Sequence, residues 1–102
     1  MKIVTFEDLD EKYTAGYDVC FVHSGCGGDA DADVVILDIN SIFDYEEKKL
    51  SICKENYTSI AVIDDPSDFD AFKNFGIKSW IKRENLADLP NLLGEIKRRM
   101  SL

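Results

Sequence analysis

The sequence predicts a single α/β domain with a five-stranded, mostly parallel sheet, and two observations favour this fold class. Apolar, β-rich segments alternate with amphipathic segments along the chain, which is the order of elements in parallel α/β sheets. Residues 33–39 are mostly apolar without alternation, which is typical of a strand covered on both faces. A chain of 102 residues suffices for one hydrophobic core but not for two, so we expect residues 1–102 to form one domain.

Five segments are predicted as strands and three as helices. The predicted strands are 1–6, 18–23, 33–39, 59–63 and 77–81. Apolar residues at roughly helical spacing predict a helix over 41–56. A second helix is predicted over 66–75, because Pro66 suits a first helical turn and Gly76 suits a C-cap. The last helix, 86–100, has the clearest pattern, since Leu and Ile recur at spacings of three and four and basic residues follow at its C-terminal end.

The first two connections between predicted strands are short. They comprise residues 7–17 and 24–32, whereas a parallel crossover normally takes about a dozen residues or more. The first two helices of the domain are therefore expected to be shortened or missing, unless the N-terminal third of the chain pairs differently.

The charge of the chain limits its partners. A net charge of -8 and a pI near 4.5 predict repulsion of polyanions, so we expect no binding to nucleic acid or to anionic membrane. Proteins, cations and small molecules remain as partners. No apolar run approaches the roughly 20 residues that span a bilayer, and the N-terminal residues do not resemble a secretory signal. We expect a cytoplasmic protein.

Charged residues follow four of the predicted strands. They are Glu7, Asp8, Asp38, Asp64, Asp65, Lys82 and Arg83. The carboxyl ends of parallel strands border the functional crevice of open α/β sheets, and neighbouring carboxylates there recruit divalent cations such as Mg²⁺. With Mg²⁺ in place, a carboxylate such as Asp38 can accept a phosphoryl group. The alternative is that acidic residues merely end strands in a protein that is acidic throughout.

Segments 2–8, 33–40 and 76–83 resemble the signature strands of the response-regulator receiver domain, the CheY-like phosphoacceptor of two-component signalling. The resemblance is closer from residue 33 onward than before it. It implies a flavodoxin- and CheY-like three-layer sandwich with a five-stranded, mostly parallel sheet.

The resemblance also implies roles for individual residues. Glu7 and Asp8 match the acidic pair that holds Mg²⁺ together with the phosphoacceptor, and Asp38 matches the phosphoacceptor itself. Arg83 falls where receivers place their phosphate-sensing lysine, and Lys82 lies one residue early.

Other positions depart from the receiver pattern. Asp64 stands where receivers have Ser or Thr; an ionised carboxylate repels a phosphoryl group and cannot donate a hydrogen bond toward the switch aromatic, which Trp80 matches. Glu84 replaces a proline, and residues 41–44 replace a Pro-Gly loop. The sequence therefore predicts a compressed pseudo-receiver. This is a signalling module that is not an enzyme, acts through protein–protein interaction and lacks normal phospho-switching.

The alternative function is a genuine Mg²⁺-dependent phosphoacceptor with Asp38 as acceptor. In either case the expected partner is a histidine kinase or a downstream effector. The expected binding surface comprises the helix over 66–75, the strand over 77–81 and the last helix, and a homodimer through this surface is also expected.

The remaining features are interpreted as structural. Cys20, Cys26 and Cys53 are expected to be reduced thiols, with a redox role for the first two as a weaker alternative. The glycine-rich segment 25–28 lacks the ending of a phosphate-binding loop. Three aspartates then alternate as calcium ligands do, but the closing glutamate of a calcium loop is missing; these aspartates are Asp29, Asp31 and Asp33. We predict a flexible surface connection here.

Overall fold

The computed structural model describes residues 1–25, 31–77 and 79–101. Its strands are β1 (Lys2–Thr5), β2 (Asp18–Phe21), β3 (Ala32–Leu37), β4 (Cys53–Ile63) and β5 (Ser79–Lys82). Its α-helices in these residues are α1 (Ile42–Ile52), α2 (Asp68–Asn74) and α3 (Leu89–Arg99). None of them is long and apolar enough to cross a membrane.

The five strands form one sheet in the order β2-β1-β3-β4-β5. Every pairing is parallel, so the predicted α/β class and five-stranded sheet are confirmed, and the sheet is parallel throughout. The order is that of doubly wound sheets, in which ligand sites lie where the connections change direction, here between β1 and β3. The architecture is compatible with a flavodoxin-like sandwich.

The core lies on both faces of the sheet. Ile42 and Tyr45 of α1 and Phe72 of α2 pack in one apolar cluster. Leu89 and Leu93 of α3 pack in a second cluster. Every residue of β3 is buried, as the continuous apolar pattern predicts, because this strand is covered by helices on both sides.

The helix predicted over 41–56 is shorter, because its last residues open β4 instead. Cys53 pairs with Ala32 at the start of β3, and the register then shifts. The extended backbone brings the Lys54 ammonium within 3.0 Å of the Asp33 carboxylate. Pairing with a neighbouring strand therefore overrides the local helical pattern, which is only a weak preference.

The other boundaries also differ in detail. Residues 83–88, of which 86–88 were predicted to begin the last helix, form 3₁₀ turns with a non-helical kink at Asn85, and α3 starts only at Leu89. In the described parts of the first two connections the helical structure is limited to the 3₁₀ turns Glu11–Tyr13 and Val22–Ser24. In these described residues the first two helices are thus reduced to single turns, as expected.

The sequence patterns assign Asp33 both to the predicted strand 33–39 and to the predicted flexible connection, and the structure confirms the strand and corrects the flexible assignment at this residue. Residues 26–30 of the connection lie outside the described residues. Asp33 belongs to β3 and is only 5% exposed. Its Oδ2 accepts a hydrogen bond of 2.8 Å from the Lys2 amide, and Lys54 pairs with Oδ1. Burial raises the pKa of Asp33, but these partners outweigh it and hold the pKa below its ordinary value. The carboxylate stabilises the sheet where β1, β3 and β4 meet.

Asp33→Asn is expected to lower the free energy of unfolding by about 1 kcal/mol at neutral pH, the usual net worth of such a hydrogen-bonded group. Because the pKa of Asp33 is depressed in the folded state, its carboxylate stabilises the fold at pH values above the ordinary pKa of 3.8. This stabilisation is lost as the pH falls through the folded-state pKa. Urea denaturation at pH 7 and pH 3 measures the difference. Asp31→Asn is the matched control, since Asp31 is exposed and its positive φ of 47 suits asparagine. Equal losses in both variants would contradict the assignment.

Candidate functional site

Side chains from the segments that follow β1, β3, β4 and β5 meet at the carboxyl edge of the sheet. Thr5 of β1 lies beside Ile36 of β3, and Ile63 of β4 lies beside Lys82 of β5. The residues that follow these positions are consequently neighbours. The side chains that meet there are those of Glu7, Asp38, Asp64 and Arg83. We call these four residues the carboxylate–arginine cluster.

Arg83 makes most of the contacts within the cluster. Its Nη2 donates to Glu7 Oε2 at 2.8 Å and to Asp64 Oδ2 at 3.2 Å, and its Nε donates to Asp64 Oδ1. The same Nη2 lies 4.0 Å from Asp38 Oδ2. The carboxylates raise the pKa of the guanidinium, so Arg83 stays charged. A planar fork of five donors suits several carboxylates at once, which a lysine ammonium does not.

Glu7 is the most enclosed carboxylate of the cluster, with 9% of its side chain exposed. Burial raises its pKa, Arg83 opposes this change, and a hydrogen bond and charge repulsion from Asp38 add to it. The folded domain therefore binds a proton at Glu7 more tightly than the unfolded chain does. This contribution to stability is full below the ordinary value of 4.5 and is lost as pH rises through the folded pKa.

Asp38 directly follows β3 and is the N-cap of the 3₁₀ turn Ile39–Ser41. Its Oδ1 accepts hydrogen bonds from the Ser41 amide at 3.0 Å and from Ser41 Oγ at 2.7 Å. Ser41 Oγ in turn accepts from the Asp38 amide at 3.0 Å, which completes a capping box. One carboxylate oxygen of Asp38 is thus held by the start of the helical segment, and the other is the one nearest Arg83.

Asp64 is positioned by the turn between β4 and α2. The buried Asp68 carboxylate accepts hydrogen bonds from the amides of Asp64 and Asp65 at 3.2 Å and 3.1 Å. The hydrogen bond from Arg83 holds the pKa of Asp64 below its usual range, against a smaller rise from burial. Asp64 is therefore ionised at neutral pH and points into the cluster.

The structure leaves other predicted site residues outside the cluster. Asp8 is exposed and makes no ion pair within the described residues, although it lines a pocket that Glu7 and Asp38 also line. Lys82 is exposed, and Asp65 accepts hydrogen bonds from Ser67 instead. Sequence reasoning missed Ser41, whose spacing of three residues after Asp38 is the signal of a capping box.

Two pockets flank the cluster. One, of about 390 Å³, lies beside Asp38 and Glu7. The other, of about 380 Å³, lies beside Asp64 and Arg83 and has Phe69 in its wall. The Phe69 ring meets the ring of Trp80 edge to face, with centroids 5.1 Å apart. Trp80 therefore contacts a side chain that forms part of the wall of this pocket.

Mg²⁺ is expected at Glu7, Asp8 and Asp38, and in the structure Arg83 lies beside two of these residues, Glu7 and Asp38. Glu7 and Asp38 supply the oxygen ligands that Mg²⁺ prefers, but the guanidinium of Arg83 already serves as their counter-ion. Within residues 1–25, 31–77 and 79–101, no group of three acidic, histidine or cysteine side chains is arranged to hold a metal ion.

The cysteines differ from one another. Cys53 is a free, half-buried thiol, and burial raises its pKa to about 11, so it is protonated and unreactive at neutral pH. Cys20 is disulfide-bonded, contrary to the expectation of a reduced thiol. Cys26 lies outside the described residues.

Comparison of the chain with protein-family models, with curated proteins and with solved structures gives no match. The chemistry of the carboxylate–arginine cluster must therefore be interpreted from its own geometry.

Proposed function

We propose that the domain is a receiver-like signalling module, with a flavodoxin- and CheY-like sandwich, that acts by binding other proteins in the cytoplasm. It has no enzymatic activity and no normal phosphorylation switch. The observation that supports this proposal is the Arg83 guanidinium, which lies between Glu7 and Asp64 beside Asp38. The positive charge of Arg83 balances the negative charge of these carboxylates, which would otherwise require a bound cation.

The same geometry disfavours a phosphoryl group on Asp38. Its Oδ1 is engaged by Ser41, and the ionised Asp64 is bound to the same guanidinium. Phosphoryl transfer needs positioned cations around the developing negative charge. Here the nearby cation already compensates three carboxylates.

A binding surface is available on α2, β5 and α3. Trp80 is 43% exposed on β5, an edge strand of the sheet, and packs against Phe69 of α2. Partly exposed aromatics held by a neighbour are frequent anchors of protein interfaces. We propose this surface for the partner, a histidine kinase or a downstream effector, and for a homodimer.

The second candidate function is a Mg²⁺-dependent aspartyl phosphoacceptor. The pocket beside Asp38 favours it, because Glu7 and Asp8 line the same pocket. In this function a cation must compete with Arg83 for Glu7 and Asp38.

A titration with Mg²⁺ and then with beryllofluoride, a phosphoryl mimic, separates the two functions. Trp80 fluorescence and the amide NMR shifts of Asp38 and Ser41 are followed in the wild type and in Asp38→Asn. We expect no saturable change in either protein, because Arg83 and Ser41 already occupy the carboxylates. A saturable change that is lost in Asp38→Asn would overturn the proposal and favour the phosphoacceptor.

A further inference from the structure

The outward face of α1 is apolar at two positions. Ile42, Tyr45 and Ile52 of this helix are buried against the sheet. On the outer side, Phe43 is 77% exposed and Leu50 is 89% exposed. Among the large apolar side chains of the described chain, these two are the most exposed. The helix therefore carries apolar side chains toward solvent as well as toward the core.

The two exposed side chains form one stripe. They are seven residues apart, which places them on the same side of the helix about 10 Å apart along its axis. The Phe43 ring packs edge to face against Phe75 at the end of α2, with centroids 5.9 Å apart. Phe43 thus has one aromatic neighbour, and the rest of its ring remains open to a partner.

Glu47 lies between the two apolar positions, four residues after Phe43, and is exposed. The other charged residues of α1 form ion pairs of 2.9 Å within the helix, namely Lys48 with Asp44 and Lys49 with Glu46. Glu47 makes no ion pair with the part of the chain that the structure describes. The face therefore presents an apolar, acidic, apolar sequence of groups, which we call the α1 stripe.

We propose that the α1 stripe docks a cationic amphipathic helix of a partner protein. Two apolar side chains of that helix, about two turns apart, contact Phe43 and Leu50, and a Lys or Arg between them pairs with Glu47. A second copy of this chain is a poor occupant, because the stripe would bring Glu47 toward another acidic surface and the chain carries a net charge of -8. This inference rests on the proposed function, since it names a partner for a domain that acts by binding.

The probe is a fluorescein-labelled synthetic helix with two leucines about two turns apart and lysines between them. A matched peptide carries glutamates in place of the lysines. Binding is measured by fluorescence anisotropy. We expect saturable binding of the lysine peptide and none of the glutamate peptide. Affinity should fall at least about tenfold in the double variant Phe43→Ser/Leu50→Ser, because truncated anchors dominate the losses at interfaces.

Glu47→Gln should also weaken binding, and Val19→Ser should leave it unchanged. Val19 is a matched control, since it is an exposed apolar residue that belongs to the edge strand β2 and not to α1. All substituted positions are exposed, and circular dichroism checks that each variant is folded.

Four results would overturn the inference. Three are no binding of the lysine peptide, equal binding to all variants, and a concentration-dependent dimer that is lost in the double variant. The fourth is loss of peptide binding in Trp80→Ala but not in the double variant, which would place the contact on the α2, β5 and α3 surface instead. A beryllofluoride response with intact peptide binding would overturn the proposed function and leave the α1 stripe in place, so the two failures are distinguishable.

Discussion

Phe72→Ala is expected to lower the free energy of unfolding by about 3–5 kcal/mol, the usual range for truncating a buried phenylalanine. Phe72 is fully buried and joins α2 to the cluster that contains Ile63 and Ile77. The α2 helix has only seven residues, too few to form without tertiary packing. Because domains of this size are stable by about 5–15 kcal/mol in all, the variant should be close to unfolding.

Urea denaturation followed by circular dichroism measures this loss. Phe43→Ala is the matched control, because it truncates a phenylalanine that is 77% exposed. This variant should lower the free energy of unfolding by about 0.5 kcal/mol. Comparable losses in the two variants would contradict the placement of α2 on the sheet.

Arg83→Met is expected to cost about 2 kcal/mol at neutral pH, the penalty for leaving an enclosed charged group without its partner. The Glu7 side chain is only 9% exposed, and Asp38 lies beside it with 13% exposed. The cost stays below that of breaking a fully buried pair, because Arg83 itself is 43% exposed and solvent screens the carboxylates.

The loss in Arg83→Met should depend on pH in a defined direction. Without Arg83 the pKa of Glu7 rises further above 4.5, and a raised carboxyl pKa destabilises the fold only above the ordinary value. Asp64 loses the influence that lowers its pKa, which removes a stabilisation present at neutral pH. The difference from the wild type should therefore shrink as pH falls toward 4.

Thermal unfolding between pH 4 and pH 8 measures this dependence. Lys82→Met removes the adjacent cation, which has no ion pair among the described residues, and should change stability by no more than about 0.5 kcal/mol. A pH-independent loss, or an equal loss in both variants, would show that Arg83 is not the counter-ion of the cluster.

The fold class was predictable because it depends on patterns that are local in the chain. The apolar run 34–37 of β3 and the spacing of Leu89, Leu93 and Ile96 in α3 indicate which faces are buried, and burial of apolar surface drives folding. The carboxyl-end positions of Glu7, Asp38 and Arg83 follow from the same strand assignments. The end of α1 was not predictable, because the pairing of Cys53 with Ala32 depends on residues distant in sequence.

The sequence by itself determined the alternation of strands and helices, the parallel sheet and the convergence of charged residues at its carboxyl edge. The tertiary structure alone decided which of these residues meet. Arg83 rather than Lys82 pairs with Glu7 and Asp64, and Asp38 is held by Ser41. The physical reason is that hydrogen bonds and ion pairs form over only a few ångströms. Adjacent residues with the same charge therefore acquire different partners from strand register and backbone direction, which composition and spacing do not encode.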